Sequence, residues 1–415
     1  MSGIAKRPVG RNLLTNMLYG PVVRLKDIRY LWVCTLFNGF GYMGEAVVLG
    51  WVLLEVTNSP FMVGLGLGLR MAPNFFLGIL AGAVTDKVDR LTLMKLVTLG
   101  IVATTAALGF LIFMDRVALW HLFTLTLVGG SLWSLYSTAR QSYTYDVAGP
   151  TMIVSSLAFV SLAMRSGGIV GSLMAGYAAG QLGADWAYFI LAGGYVLSVI
   201  PLFLIRSRGQ SAPVSSKPVW QNLKEFGTEI RQNGSLRTAF LLVAMVEFLG
   251  FSHMAILPSL ARDVLDVDAG GLGVMNAFRS VGGFLGITVI SAWGEPQRKS
   301  LIWILILGLM GGALVALGTA PTFLLAVVAI TLVSGLTALS DVFSQGLMQM
   351  LVPNELRGRA MGAWNVATGT MPLGTLQIGA LAGALSVGFA LVANGVGLVV
   401  LAVGGFALLS KFKRL

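Results

Sequence analysis

Long stretches without Asp, Glu, Lys or Arg alternate along the chain with short clusters rich in them. The longest uninterrupted stretches are Leu96 to Met114, Val117 to Ala139, Ser300 to Ser340 and Ala360 to Ser410. A helix rises about 1.5 Å per residue and needs about 20 apolar residues to cross a bilayer, so the last two stretches each hold two crossings. Gly318 to Pro321 breaks the first of these and Gly383 to Gly388 the second. Further spans read as Tyr30 to Val56, Pro60 to Val84, Ile153 to Gly180, Trp186 to Ile205, Thr238 to Leu260 and Ala269 to Trp293. The pattern predicts an all-α membrane protein with twelve transmembrane helices.

Composition agrees with this and removes other classes. Only 11% of the 415 residues are charged, while 56% are hydrophobic. A soluble domain carries about a quarter charged residues, so this chain could not cover a globular surface. One cysteine, Cys34, excludes a disulfide framework, and with only His121 and His253 beside it no metal site is expected. A net charge of +11 is compatible with nucleic-acid binding only if the basic residues share one folded surface. They do not.

Of the 28 lysines and arginines, three lie inside spans and only Arg116 and Arg262 fall on one face of the membrane. The rest lie in the N-terminal tail (Lys6 to Arg29), the central loop (Arg206 to Arg237), the turns carrying Lys87, Arg90, Arg140, Arg298 and Arg357, and the C-terminal tail. The positive-inside rule therefore places both termini and the central loop in the cytoplasm, in a multi-pass protein of the cell (inner) membrane. The charge is a topology signal, and no nucleic-acid partner is expected. No cleavable signal peptide is expected either, because the first apolar segment is a full span. Leu13 to Ile28 alternates basic and apolar residues; an interfacial helix and a disordered tail both fit it.

The chain divides into a basic tail over 1–29, a six-span half over 30–205, a polar linker over 206–236, a second six-span half over 237–410 and a basic tail over 411–415. The halves are nearly equal, and a shift of 209 residues places Gly64 on Gly273, Arg70 on Arg279, Asp86 on Glu295 and Arg90 on Lys299. Two equal halves with a weak internal match predict a pseudo-symmetric repeat about an axis normal to the membrane.

Six ionisable residues lie well inside spans: Glu45, Arg70, Arg165, Glu247, Arg279 and Asp341. A charge in hydrocarbon costs about 3 kcal/mol on insertion scales, so each should face protein or water. Spans three, six, nine and twelve carry none, which assigns them to the lipid face and the other eight to a polar interior. With three acids and three bases the interior is nominally balanced.

After the second span the chain reads Gly82-Ala83-Val84-Thr85-Asp86-Lys87-Val88-Asp89-Arg90, and before the eleventh it reads Val352-Pro353-Asn354-Glu355-Leu356-Arg357-Gly358-Arg359. The Gly82–Arg90 stretch is similar to the signature loop of the major facilitator superfamily, with Asp89 standing where glycine is usual. The Val352–Arg359 stretch, which continues through Ala360-Met361-Gly362, resembles the loop before span eleven in the exporter branch that includes enterobactin and multidrug efflux proteins. The resemblance covers the whole chain and implies the major facilitator fold, export by alternating access, and a cytoplasmic latch of Gly82, Asp86, Lys87 and Arg90 with Arg357 and Arg359. A carboxylate beside basic residues and a helix N-terminus is stabilised, which is the chemistry such a latch needs. A solvated turn is the plainer alternative.

For energy coupling a buried carboxylate is the natural proton carrier, since lost hydration favours its neutral form. Glu45 is the first choice, flanked by Gly41, Gly44 and Gly50, which leave space around it, with Glu247 and Asp341 as further candidates. Structural salt bridges to Arg70, Arg165 or Arg279 are the competing role for each. Phe37, Tyr42, Trp133, Tyr136 and Phe248 are candidates to pack against a flat apolar substrate, and His253 to relay protons or help bind an anion or metal, with a satisfied polar residue near the outer end of span seven as its plainer role. No nucleotide-binding loop and no catalytic constellation is present, so the protein is not expected to be an enzyme and no cofactor beyond a proton gradient is called for. The reading is a monomeric, proton-coupled exporter of a small amphipathic substrate such as a drug or siderophore. A lipid or lysophospholipid mover and a non-transporting receptor or scaffold are the alternatives.

Overall fold

In the computed structural model the described residues are 21–207, 234–293, 298–350, 364 and 366–409, excepting the side chains at 21, 75–87, 150, 151, 154, 155, 235, 290–293, 349 and 407–409. Every regular element among them is helical. The first three spans are Lys26–Thr57, Pro60–Lys87 and Arg90–Phe113; the fourth and fifth share the run Leu119–Gln181; the sixth is Ala184–Leu204. In the second half the seventh begins as Gly234–Gly250, followed by Ala269–Trp293, Lys299–Gly318, Phe323–Met350, Met371–Ala384 and Val387–Leu409. Nine of the described helices are long and apolar enough to cross a membrane. Pro60–Lys87, the first arm of Leu119–Gln181 and Met371–Ala384 complete the twelve expected spans. The linker lies almost wholly outside the described residues.

Two spans depart from the simple pattern. The loop expected between Ala139 and Ile153 is helical apart from Gly149, whose φ of 67° interrupts the long run Leu119–Gln181. Proline disfavours helical backbone at the residue before it, and glycine alone enters the left-handed region without strain, so Gly149-Pro150 is a one-residue corner. The seventh span is not one α-helix. After Gly250 it tightens to a 3-10 turn over Phe251–Ile256 and, beyond Leu257–Ser259, widens to a π turn over Leu260–Val264. Pro258 has no amide to bond the carbonyl of Met254 and its ring crowds that group, which loosens the ladder there.

The lipid-facing assignment agrees with the packing. Spans three and six lie against one another, as do nine and twelve. They expose apolar side chains such as Leu96, Phe110, Ile200, Phe203, Leu309 and Val400. The largest apolar core crosses between the halves, joining Val47, Val63 and Ala175 to Leu257, Leu272 and Ile378.

That joint lies at the end of the bundle remote from the chain termini. Gly176 of the fifth span faces Gly273 of the eighth so closely that a Cβ on Gly176 would sit 2.7 Å from the Gly273 Cα. Gly64 of the second span meets Thr375 and Gly379 of the eleventh, and a Cβ there would lie 2.5 Å from the Thr375 carbonyl oxygen. The two joints are counterparts at the level of the helices, span five on span eight and span two on span eleven, although the 209-residue shift itself matches only Gly64 with Gly273. Beside them, Arg262 of the seventh span reaches the end of the first. It donates to the Leu54 carbonyl at 3.1 Å and to Asn58 Oδ1 at 2.6 Å. Asn58, at φ 48°, already caps that carbonyl through its amide at 2.8 Å.

Replacing Arg262 with alanine removes both bonds. The fraction of molecules open at this end is expected to rise about tenfold, the value of one charge-assisted hydrogen bond. Spin-label distances between the remote ends of spans one and seven measure it, and an unchanged distribution would show that Arg262 takes no part in closure.

Candidate functional site

Halfway along the second span Arg70 is 3% exposed. Its Nη2 donates to the Tyr42 carbonyl at 2.6 Å and to Glu45 Oε2 at 3.5 Å, and its guanidinium carbon lies 3.8 Å from the centre of the Tyr42 ring. Tyr195 of the sixth span donates to the same Glu45 oxygen at 3.4 Å. Trp133 of the fourth span stacks on Tyr42 with centroids 3.9 Å apart and planes 13° from parallel. The glycines that flank Glu45 serve this packing rather than leaving open space around the carboxylate. A Cβ on Gly41 would lie within 3 Å of the Tyr195 ring, and one on Gly44 or Gly50 within 3 Å of Leu191 or Pro258. Gly130 admits the Arg70 backbone in the same way. Four helices thus hold one ion pair, with a cation–π contact that gains strength where water is excluded.

The second half breaks this symmetry. The 209-residue shift places Arg70 on Arg279 but Glu45 on Met254. Arg279 accordingly meets sulfur where Arg70 meets a carboxylate: Nη1 lies 2.7 Å from Met254 Sδ and Nη2 lies 3.7 Å from Met43 Sδ. Its Nε is buried without a hydrogen-bond partner. The groups that act on it electrostatically are Tyr42, Arg165 and Arg70, none of them a carboxylate. Arg165 comes across from the fifth span and lays its guanidinium over Gly283, one turn beyond Arg279 on the eighth span, where a Cβ would collide with it.

Glu247 and Asp341 form a separate acidic pair. Glu247 is 5% exposed and, among the described residues, makes no hydrogen bond or ion pair. Asp341 is the charge that acts on it and on Arg165. The nominal balance of three acids and three bases is therefore not a balance of pairs. Of these six, only Glu45 and Arg70 form an ion pair among the described residues.

The aromatic candidates divide. Phe37, Tyr42 and Phe248 are part-buried, and of these Tyr42 meets the interior charges through Arg70. Tyr136 is not a lining residue: it is fully enclosed with its hydroxyl 3.5 Å from Cys34 Sγ, inside the apolar cluster of the first half. His253 is also fully enclosed. Its Nδ1 lies 2.6 Å from the Gly250 carbonyl, while Nε2 has no partner.

Of the latch set, Arg357 and Arg359 lie outside the described residues. So do the side chains of Asp86 and Lys87, which with Gly82 close the second helix. Arg90 engages Asp146 at 2.6 and 2.7 Å across the ends of spans three and four. Counting ionisable groups within spans missed Asp146, Tyr195 and the two methionines on Arg279. It also missed Asn394, whose amide nitrogen bonds the Leu249 carbonyl at 3.1 Å and Ser252 Oγ at 2.9 Å, tying span twelve to span seven. Only the 209-residue shift, applied to Glu45, could have exposed Met254 from sequence.

A helical bundle that encloses mismatched charges between two related halves is the architecture of a transporter, and the comparisons agree. The enterobactin exporter EntS of Shigella flexneri is 24% identical over 382 residues, covering 90% of this chain and 89% of that one. The enterobactin exporter EntS of Escherichia coli O1:K1 is 23% identical over 384 residues, with the same coverage. Among solved structures, a bacterial homologue of the human lysosomal transporter Spinster superposes with a TM-score of 0.72 at 16% identity, over 92% of this chain and 96% of that one. A POT family transporter in complex with 5-aminolevulinic acid reaches 0.78 at 11% identity, over 94% and 96%. The family model described as transmembrane secretion effector matches residues 19–413. The chain belongs to that family of the major facilitator superfamily and is a membrane transporter rather than an enzyme.

Proposed function

We propose that this transporter is a proton-driven exporter that carries small amphipathic molecules of the siderophore or drug class by alternating access. It works as a monomer in the inner membrane with both termini in the cytoplasm, and needs no cofactor beyond the proton gradient. The observation that carries the reading is the Glu45–Arg70 pair at 3.5 Å, enclosed by spans one, two, four and six of the first half, in a bundle whose halves pack closely at the remote end. A proton on Glu45 removes the charge that holds Arg70 and weakens the Tyr195 bond to the same oxygen. Spans one, two and six then lose a shared anchor, so proton occupancy biases how they sit against the other half. Substrate and proton are coupled if each is held better in a different state, and such couplings are worth about 5- to 150-fold. The exporters with which the chain aligns support the direction of transport. The basic residues of the tails and central loop support the orientation.

Everted membrane vesicles test it. Imposing a proton gradient should drive uptake of a fluorescent amphipathic dye, and collapsing the gradient should stop it. Glu45→Gln should lower gradient-driven uptake about tenfold while leaving energy-independent exchange in place. Dye movement indifferent to the gradient in the unmodified protein would refute proton coupling. Uptake unchanged in Glu45→Gln would move the proton to Glu247 or Asp341.

A further inference from the structure

We propose that Arg279 and Arg165 form the binding site for an oxyanion group on the substrate, so that the transported molecule is an amphipathic anion rather than a cation. The inference rests on the export reading and deepens it.

Arginine carries five N–H donors and no acceptor, and remains charged. Arg70 shows how this fold neutralises such a group, with a carboxylate, a carbonyl and an aromatic face. At the repeat-related position Arg279 has two thioether sulfurs, which are weak acceptors, and a buried Nε facing no acceptor. A charged donor left in that condition is costly, and the cost is recovered when an anion arrives. The surroundings increase the demand. Arg165 lies against the same face of span eight through Gly283, His253 Nε2 is enclosed without a partner, and Arg70 adds its field. Glu45 is committed to Arg70, and Asp341 acts on Arg165 and Glu247, so none of the three interior acids is engaged with Arg279.

The polarizable sulfurs of Met43 and Met254 complete the chemistry. They pack well against flat apolar or aromatic surface while leaving the guanidinium donors free. A ligand that suits both carries a carboxylate, sulfonate or acidic phenol on an aromatic or aliphatic body. Met43 and Arg165 belong to the first half and Met254 and Arg279 to the second, so such a ligand would bridge the two bodies that must move relative to one another.

The test is a matched pair of probes with one ring system: 1-anilinonaphthalene-8-sulfonate and its uncharged counterpart N-phenyl-1-naphthylamine. Binding to the full-length protein in nanodiscs is measured with empty nanodiscs subtracted. The unmodified protein should bind the sulfonate about tenfold more tightly than the amine, the worth of a charge-assisted hydrogen bond. Arg279→Gln should bring the ratio to about one, and Arg279→Lys should restore part of it. Met254→Glu provides the repeat-related carboxylate that Arg70 already has. It should abolish the preference without lowering thermal stability, so a variant that folds well carries the decisive measurement. A ratio near one in the unmodified protein, or a preference retained in both Arg279→Gln and Met254→Glu, overturns the anion site. Either result leaves the export reading to the vesicle assay, which uses a different dye and the proton gradient.

Discussion

Replacing Arg70 with alanine is expected to destabilise the protein by about 3–5 kcal/mol and abolish transport, because it leaves the Glu45 carboxylate enclosed without its counter-charge. The Arg70 and Glu45 side chains are 4% and 13% exposed, so water does little to screen either. The lost groups also include the donor to the Tyr42 carbonyl and the cation over the Tyr42 ring. Tyr195 remains as a single neutral donor at 3.4 Å, which is too weak to hold an ionised carboxylate alone. Glu45→Gln should cost less, since Arg70 keeps the carbonyl and the ring. The double variant Arg70→Ala with Glu45→Gln should be more stable than Arg70→Ala alone, the sign expected when removing a charge relieves an orphaned partner. Thermal unfolding of the monodisperse protein in detergent measures all three. Equal and additive losses would show that the two side chains are not coupled.

The second large effect is expected at the glycine joints. Gly176→Leu should eliminate transport while leaving each half folded. A branched side chain there meets the Gly273 backbone, where even a Cβ would lie 2.7 Å from Cα. Backbone atoms cannot swing aside as a side-chain tip can, so the eighth span must move away from the fifth. Gly64→Leu should act alike through the Thr375 carbonyl and Gly379. Both variants prop the remote end open and trap that state. The single cysteine, Cys34, is buried, so cysteines added at the remote end report accessibility against a quiet background. Rapid labelling in Gly176→Leu with slow labelling in the unmodified protein is the expected result. Equal labelling, or transport retained, would mean the joint is not a moving part. Gly167→Leu is the internal control. Its Cβ would strike the Leu36 carbonyl within one half, so it should reduce the yield of folded protein instead.

Much of the architecture was legible because it is written locally. Runs without charge located the spans, and the charges between them located the turns. Gly149-Pro150 could have been read as a corner, and Pro258 as the break in span seven, from residue chemistry alone. Spans three, six, nine and twelve carry no interior ionisable group, but neither do four and eleven, so it was the pairing of three with six and of nine with twelve that placed those four outside. Glu45 and Arg70 were recognisable as interior charges, and their pairing was one of several open combinations. Tyr136 read as an aromatic near the pathway; packing against Cys34 enclosed it. The flanking glycines of Glu45 read as space, whereas each proved to admit a neighbouring side chain.

The sequence by itself determined that this chain is a twelve-helix membrane protein with a repeated plan and six charges inside it. Hydropathy sums along contiguous residues, and a bilayer responds to that sum. Only the tertiary structure decided which of the charges are satisfied. Arg70 and Glu45 are 25 positions apart, and Tyr195 and Glu45 are 150 positions apart. Arg279 and Met43 are separated by 236. Whether such groups meet depends on the rotation and depth of helices packed through glycine, and a shift of one residue turns a helix by about 100°. Counting charges shows three of each sign, but the energy of each depends on what stands within a few ångströms of it, and there Arg279 differs from Arg70.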